Sequence, residues 1–283
     1  MASDSTVIVM GDRAEFKPSG GASLPRITPG RFALTIFTLL TFVFLYAPII
    51  VLIVFSFNSA RLGAVWQGFT LNWYERMFNN RTIMDAAVTS LIVAALSTVG
   101  SVIIGTLTAM AMERYDFKSK GVWDGLLYMP VIFPEVVAGV SLLLFFAWVG
   151  IERGLFTLVV SHIAFSMPFV YLTVRARLAD FDQRVEEAAQ DLGANEWITF
   201  HRVTLPLLMP GIISGALLAF TLSIDDFVIS FFVNGKGWTT LPIYIFGQLR
   251  KGITPEINAI SAVLLVFSIM IVSLSVILQR RQS

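Results

Sequence analysis

Cysteine is absent from the 283 residues, and histidine occurs only twice, as His162 and His201. The first absence excludes disulfide frameworks, thiolate metal sites and cysteine nucleophiles, and two histidines are too few for a histidine metal cage. Charge is scarce as well. Only 14% of residues are Asp, Glu, Lys or Arg, against about 25% in soluble domains. A formal net charge of +1 gives no basic surface for nucleic acid and no bias toward an acidic substrate. Apolar length takes the place of charge: 56% of the chain is hydrophobic, and the charged residues fall between apolar runs.

A bilayer core about 30 Å thick is crossed by about 20 apolar helical residues. Residues 32–60, 86–112, 154–174 and 257–279 reach that length without a charge. Two further runs carry acids: residues 125–151, interrupted by Glu135, and residues 203–235, interrupted by Asp225 and Asp226. The pattern predicts an all-α, polytopic membrane protein with six transmembrane helices. Residues 1–30 are polar and rich in Gly, Pro and Ser, which reads as a flexible cytoplasmic tail ahead of a membrane domain over residues 31–283. The first apolar run exceeds the core of a cleavable signal, about 7–15 residues, and is expected to be retained. Thirteen Lys and Arg lie on the side of the termini and seven on the other, which predicts both termini in the cytoplasm. Pro48, Pro130, Pro134 and Pro168 each remove a donor inside a span, as local bends or as hinges.

The loop at residues 175–202 is too patterned for a linker. Val185, Ala188, Ala189 and Leu192 recur at i, i+3, i+4 and i+7, one narrow apolar stripe of a helix. Gly193 stands where a left-handed cap ends such a helix. Asn195 can cap a second short helix with Trp197, Ile198 and Phe200 on its apolar side, closed by Leu205 and Pro206. The stripe suits a docking surface for a partner or packing beneath its own bundle.

A carboxylate at a helix centre costs about 2.5–3.5 kcal/mol on insertion scales, and no Lys or Arg lies within the apolar runs to offset it. Glu135, Asp225 and Asp226 must therefore face a cavity, face a partner, or be protonated. A rise of about 1.5 Å per residue puts Glu135 about 15 Å and Asp225 about 27 Å into their spans, a staggered arrangement. Adjacent residues point about 100° apart. Asp225 continues the polar line of Ser214 and Thr221 toward solvent, and Asp226 the small-residue line of Gly211 and Gly215 toward a helix contact. Such acids suit a cationic solute, and Tyr128, Phe133 and Trp148 offer either cation–π contacts or ordinary packing. Ser161-His162 is not a nucleophile pair, because neighbours point apart and no acid is near to orient the imidazole; a satisfied buried histidine is expected. Leu71, Tyr74, Met77 and Phe78, with Trp66 and Trp73 nearby, predict a helix in the outer interface.

Glu187-Ala188-Ala189, three residues, Gly193, nine residues, Val203, one residue and Leu205-Pro206 resembles the EAA signature of ABC importer permeases. The resemblance implies a type I ABC importer permease fold and a coupling loop at about residues 175–206. Its ATPase-coupling residues would be Glu187, Ala188, Ala189, Gly193, Ala194, Trp197, Phe200, Leu205 and Pro206. No G-x-x-x-x-G-K-[ST] motif is present, so ATP and Mg are expected on partner ATPase subunits, with no cofactor, metal or catalytic residue in this chain. Met129-Pro130, Phe133-Pro134-Glu135, Leu222 to Val228 and Pro255 to Ala259 are similar to the spermidine/putrescine permeases, from residue 32 to the C-terminus. That resemblance, with the putrescine branch favoured, implies a bacterial inner-membrane permease that moves a polyamine from periplasm to cytoplasm by alternating access. Glu135, Asp225 and Asp226 would line the substrate pathway. The implied partners are a second homologous permease subunit, two ATPase subunits, the lipid bilayer and a periplasmic polyamine-binding protein docking near Trp66, Trp73 and Tyr74. Competing readings are an ABC permease for another cationic solute, an ATP-independent channel or carrier, and an intramembrane enzyme; the last lacks any ligand or nucleophile spacing.

Overall fold

In a bilayer the backbone must satisfy its own hydrogen bonds, and long uncharged runs do so as helices. The computed structural model describes residues 29–60, 65–179, 182, 184–250, 252 and 254–280. The expected tail lies outside them up to residue 28, and residues 29 and 30 already belong to a helix. Among the described residues the elements are helical, with one isolated antiparallel bridge between Asn58 and Phe69. In chain order they are α1 (Pro29–Phe55), α2 (Asn72–Asn79), α3 (Arg81–Arg114), α4 (Lys120–Ile132), α5 (Glu135–Val149), α6 (Leu155–Ala179), α7 (Arg184–Asp191), α8 (Glu196–Thr199), α9 (Leu205–Ile224), α10 (Val228–Val233), α11 (Leu241–Leu249) and α12 (Pro255–Arg280).

Helices α1, α3, α6, α12 and the run Glu196–Ile224 are long and apolar enough to cross a membrane, and α4 and α5, bent by 108° at the break between them, reach that length and apolarity only as a pair, which makes six if the pair is counted as one span. The chain through residue 49 is a unit of its own, and its part of α1 exposes apolar side chains along its length. There Thr35, Thr38 and Thr41 donate their hydroxyls to carbonyls four residues back, which satisfies them without water. In the second unit, residues 50–283, the helices α3, α6 and α9 pack around Ala109, Val170, Tyr171, Val174, Leu208 and Ala219. Small residues allow this approach. A Cβ on Gly215 would stand 2.5 Å from Thr173 Oγ1 and 3.2 Å from Val170 Cα.

Three expectations about the spans change. Residues 125–151 are not one helix: Phe133 and Pro134 are extended, at ψ 145° and 130°, because a proline disfavours helical geometry in the residue before it. Residues 203–235 break after Ile224 and resume as α10. The first span ends at Phe55 rather than residue 60, since the chain turns there around the buried Asn58. Asn58 Oδ1 accepts from the amides of Ala60 and Gln67, and its Nδ2 donates to the Val65 carbonyl. By contrast α1, α4 and α6 continue through Pro48, Pro130 and Pro168.

The α2 stripe is also rotated from its expected face. Trp73 and Met77, four residues apart, are buried, whereas Leu71 and Phe78 are exposed. Trp73 has a reason to turn inward: its indole N–H donates to the Asn58 carbonyl at 2.8 Å.

Gly215→Leu is expected to force α6 and α9 apart at a cost of about 1–3 kcal/mol, the range for overpacked cores. Thermal unfolding in detergent micelles measures it, and a melting midpoint equal to the parent's would contradict this packing.

Candidate functional site

The two interrupted spans meet. Helix α10 packs on α5, with the Phe232 ring against Gly139, and α5 begins at Glu135, whose carboxyl adjoins that of Asp226. The expected stagger of the acids is therefore corrected: the bend after α4 abolishes the straight climb that separated Glu135 in depth from the aspartates. Asp226 is 6% exposed. Its Oδ1 accepts from the Ile229 amide at 3.2 Å and its Oδ2 from the Ser230 amide at 2.7 Å. It thus caps α10 and satisfies N–H groups freed by the break.

His162 of α6 reaches the same point; it is the satisfied buried histidine expected, but sequence reasoning missed its partners. Its Nε2 lies 2.9 Å from Ser230 Oγ and 3.3 Å from Asp226 Oδ2, and its Nδ1 lies 2.6 Å from Ser223 Oγ. The expectation that no acid stands near His162 is overturned. Sixty-four positions separate it from Asp226, so no local pattern could have paired them. A carboxylate only accepts, which assigns the imidazole N–H to Nε2 and leaves Nδ1 to accept from the Ser223 hydroxyl. Ser97 Oγ on α3 in turn donates to Ser223 Oγ at 3.0 Å. The trio has the hydrogen-bond order of an acyl-transfer triad. It is nonetheless sealed: Ser223, Asp226 and His162 are 5%, 6% and 2% exposed, which leaves no approach for a substrate. Among the described residues no group of three His, Asp or Glu converges where a metal ion could sit.

Asp225 points elsewhere. It is exposed and accepts from Ser268 Oγ of α12 at 2.8 Å. Together with Phe227, Pro242, Phe246, Ser261 and Ser268 it lines a cavity of about 420 Å³. The Phe227 and Phe246 rings lie 4.5 Å apart, and the Arg250 guanidinium sits 4.6 Å from the Phe246 centroid, so this wall already holds one cation. Tyr128, Phe133 and Trp148 are not among the residues that line it. Phe227 and Phe246 supply the aromatic wall instead. Phe227 adjoins the acid pair in sequence and was readable; Phe246 is placed only by the packing of α11.

At the far end of α9 lies the patterned loop. It starts later than expected, because α6 runs to Ala179 and uses Arg175 to hold Asp124 of α4 at 2.6 Å and Glu113 of α3 at 3.6 Å. Helix α7 is closed two residues past its end by Gly193, whose φ of +92° is left-handed; its amide donates to Gln190 O at 2.8 Å, and the Ala194 amide to Ala189 O at 3.1 Å. Asn195 Oδ1 accepts from the Ile198 amide at 2.9 Å and caps α8. The second helix does not close at Leu205-Pro206. A wide π turn, Phe200–Thr204, carries it into α9, with the Leu205 amide donating to the Phe200 carbonyl. Such a turn accommodates Pro206, which has no amide to give and crowds a regular helix.

Leu192 and Trp197 are 90% and 68% exposed, and Glu187, Ala188, Gly193 and Pro206 are exposed too. Ala189, Ala194, Phe200 and Leu205 are half-buried. Glu186, which the sequence pattern does not single out, is the tie to the bundle: it accepts from Arg114 Nη2 and from Thr204 Oγ1. On the α2 side, Trp66 is exposed, Tyr74 OH bonds Ser56 Oγ at 2.7 Å, and the buried Trp73 has only 8% of its surface left for a partner.

Residues 101–283 match the family described as binding-protein-dependent transport system inner membrane component. The chain is 42% identical over 247 residues to the spermidine/putrescine transport system permease protein PotC of Haemophilus influenzae, covering 87% of this chain and 96% of that protein. It is 41% identical over 235 residues to the putrescine transport system permease protein PotI of Escherichia coli K12, covering 80% and 83%. Its fold is similar to that of a chain from a bacterial ABC transporter involved in the import of the acidic polysaccharide alginate. There the TM-score is 0.67 at 18% identity, over 88% of this chain and 94% of that one.

Glu186→Ala is expected to free α7 from α3 and the π turn, seen as faster hydrogen–deuterium exchange across residues 184–204, whereas Glu187→Ala leaves exchange unchanged. Equal behaviour of the two variants would remove Glu186 from this role.

Proposed function

The chain belongs to the family of binding-protein-dependent transport system inner membrane components, as a non-catalytic permease subunit of an ABC importer, and we propose that it moves a polyamine, putrescine or spermidine, from the periplasm to the cytoplasm. One observation carries the cargo class: Asp225 opens into a cavity walled by Phe227 and Phe246, and the Phe246 ring already stacks with one cation, the Arg250 guanidinium. A polyamine is a series of ammonium groups joined by methylenes. The carboxylate suits an ammonium, and the aromatic faces suit both the charge and the chain between charges. Near-equal identities to the two relatives do not separate the amines, so both belong in the test.

In this reading the chain works beside a second homologous permease subunit, over two ATPase subunits that hold ATP and Mg, and beneath a periplasmic polyamine-binding protein. Both termini lie in the cytoplasm, in keeping with the excess of Lys and Arg on that side. Leu192 and Trp197 fill a pocket of an ATPase, and Gly193 sets the angle between α7 and α8. The run Glu196–Ile224 is 29 residues, about 43 Å at 1.5 Å per residue. ATP-driven closure of the ATPases displaces its lower end, and the motion arrives at the break that holds Asp225 and Asp226. Access to the cavity then alternates between the two faces.

The test is uptake of labelled putrescine and spermidine by the full assembly in proteoliposomes. Asp225→Asn is expected to lower uptake about ten- to hundred-fold, since a hydrogen bond to a charged group contributes about 1.5–3 kcal/mol. Gly193→Val is expected to abolish uptake while the ATPases still turn over. Uptake that persists without ATP would instead favour a channel or carrier.

A further inference from the structure

Helix α10 has six residues, too few to sustain itself by backbone bonding. Its placement therefore comes from tethers, and α6 supplies one at each end. At its C-terminal end the Val233 carbonyl accepts from Thr157 Oγ1 at 2.8 Å. At its N-terminal end Asp226 and Ser230 meet His162 Nε2. The same imidazole holds Ser223, the last turn of α9, through Nδ1. One side chain thus grips both sides of the break, and Asp225 lies between its grips.

We propose that His162 is a positioning residue: by clamping Ser223 on one side and Asp226 with Ser230 on the other, it commits Asp226 to capping α10 and leaves Asp225 as the carboxylate presented to the aromatic cavity. The two aspartates differ by one position, about 100° of helical rotation. A rotation of that size at the break would bring Asp225 to the place that Asp226 holds and turn Asp226 away from it. The helix caps alone do not prevent it, because an aspartate at either position can accept amide bonds at a helix start. The imidazole does prevent it. It is rigid, 2% exposed, and its two nitrogens face opposite partners in a sealed site where an unmatched polar atom is costly. The cargo side of this inference rests on the reading that Asp225 contacts the amine; the positioning side does not.

The chain has no cysteine, so Asp225→Cys creates a single thiol whose labelling by a water-soluble maleimide reports the geometry directly. Labelling in membrane vesicles is expected to slow at least ten-fold when His162→Leu is added. It is expected to slow about three-fold or more with His162→Gln, whose amide reaches Asp226 and Ser230 but leaves Ser223, and with His162→Asn, which can serve Ser223 but falls short of Asp226. Should the leucine variant fail to accumulate, the glutamine and asparagine variants decide alone: labelling of either within two-fold of the parent's overturns the proposal. Uptake by the full assembly supplies the second arm. His162→Leu is expected to lower amine uptake about ten-fold in the parent and less than two-fold in an Asp225→Asn background, because both changes act on one contact. Fully multiplicative losses overturn the proposal. A labelling shift together with an Asp225→Asn variant of normal uptake would leave the positioning intact and defeat the cargo reading of Asp225 instead.

Discussion

A helix broken inside a membrane frees amide groups that no water is there to bond, and in this chain the carboxylate of Asp226 takes two of them. Much of the site derives from that substitution of a side chain for solvent. A carboxylate can be kept there because it accepts several donors at once and because His162 and Ser230 complete its shell. The neighbouring break at Phe133-Pro134 places Glu135 alongside, so two interruptions in two spans share one polar centre, buried at Asp226 and half-buried at Glu135. Irregular backbone at this depth is tolerated where protein surrounds it or a cavity adjoins it. Both conditions hold here: protein around Asp226, a cavity beside Asp225.

That centre is mechanically connected to the opposite end of the bundle. The helix that begins at Glu196 runs through its π turn to Ile224 without a stop, so α8 and the break lie at the two ends of one continuous helical run. Glu186 adds a second connection, since it joins α7 to Arg114 of α3 and to Thr204 at the foot of α9. The described ends of the loop between α1 and α2 meet at one residue. Asn58 organises it with three side-chain bonds, and Trp73 closes over the same residue.

The parts of this architecture that depend on length and local chemistry could be read directly. Uncharged runs located the spans, Gly193 announced its left-handed turn, and Asn195 announced its cap. Proline was less informative, because α1, α4 and α6 absorb Pro48, Pro130 and Pro168 while Phe133-Pro134 breaks its span. The difference lies in the residue after Pro134: Glu135 begins a new helix that packs on α10, and that partner is nearly one hundred positions away. Long-range partners also explain His162, whose role is set by residues 61 to 68 positions distant. Trp73 and Trp66 are chemically alike and differ only in which one the fold of the loop turns inward.

The proposed presentation of Asp225 to its cavity depends on the meeting of α5 and α10, and a chain without cysteine makes that meeting measurable. Gly139 on α5 lies against the ring of Phe232 on α10. In the paired variant Gly139→Cys with Phe232→Cys, mild oxidation of membranes is expected to join the two thiols in high yield, read as protection from a maleimide label that dithiothreitol reverses. Thiols that stay fully reactive after oxidation would mean that the spans run past each other unbroken, with Glu135 and Asp226 at separate depths.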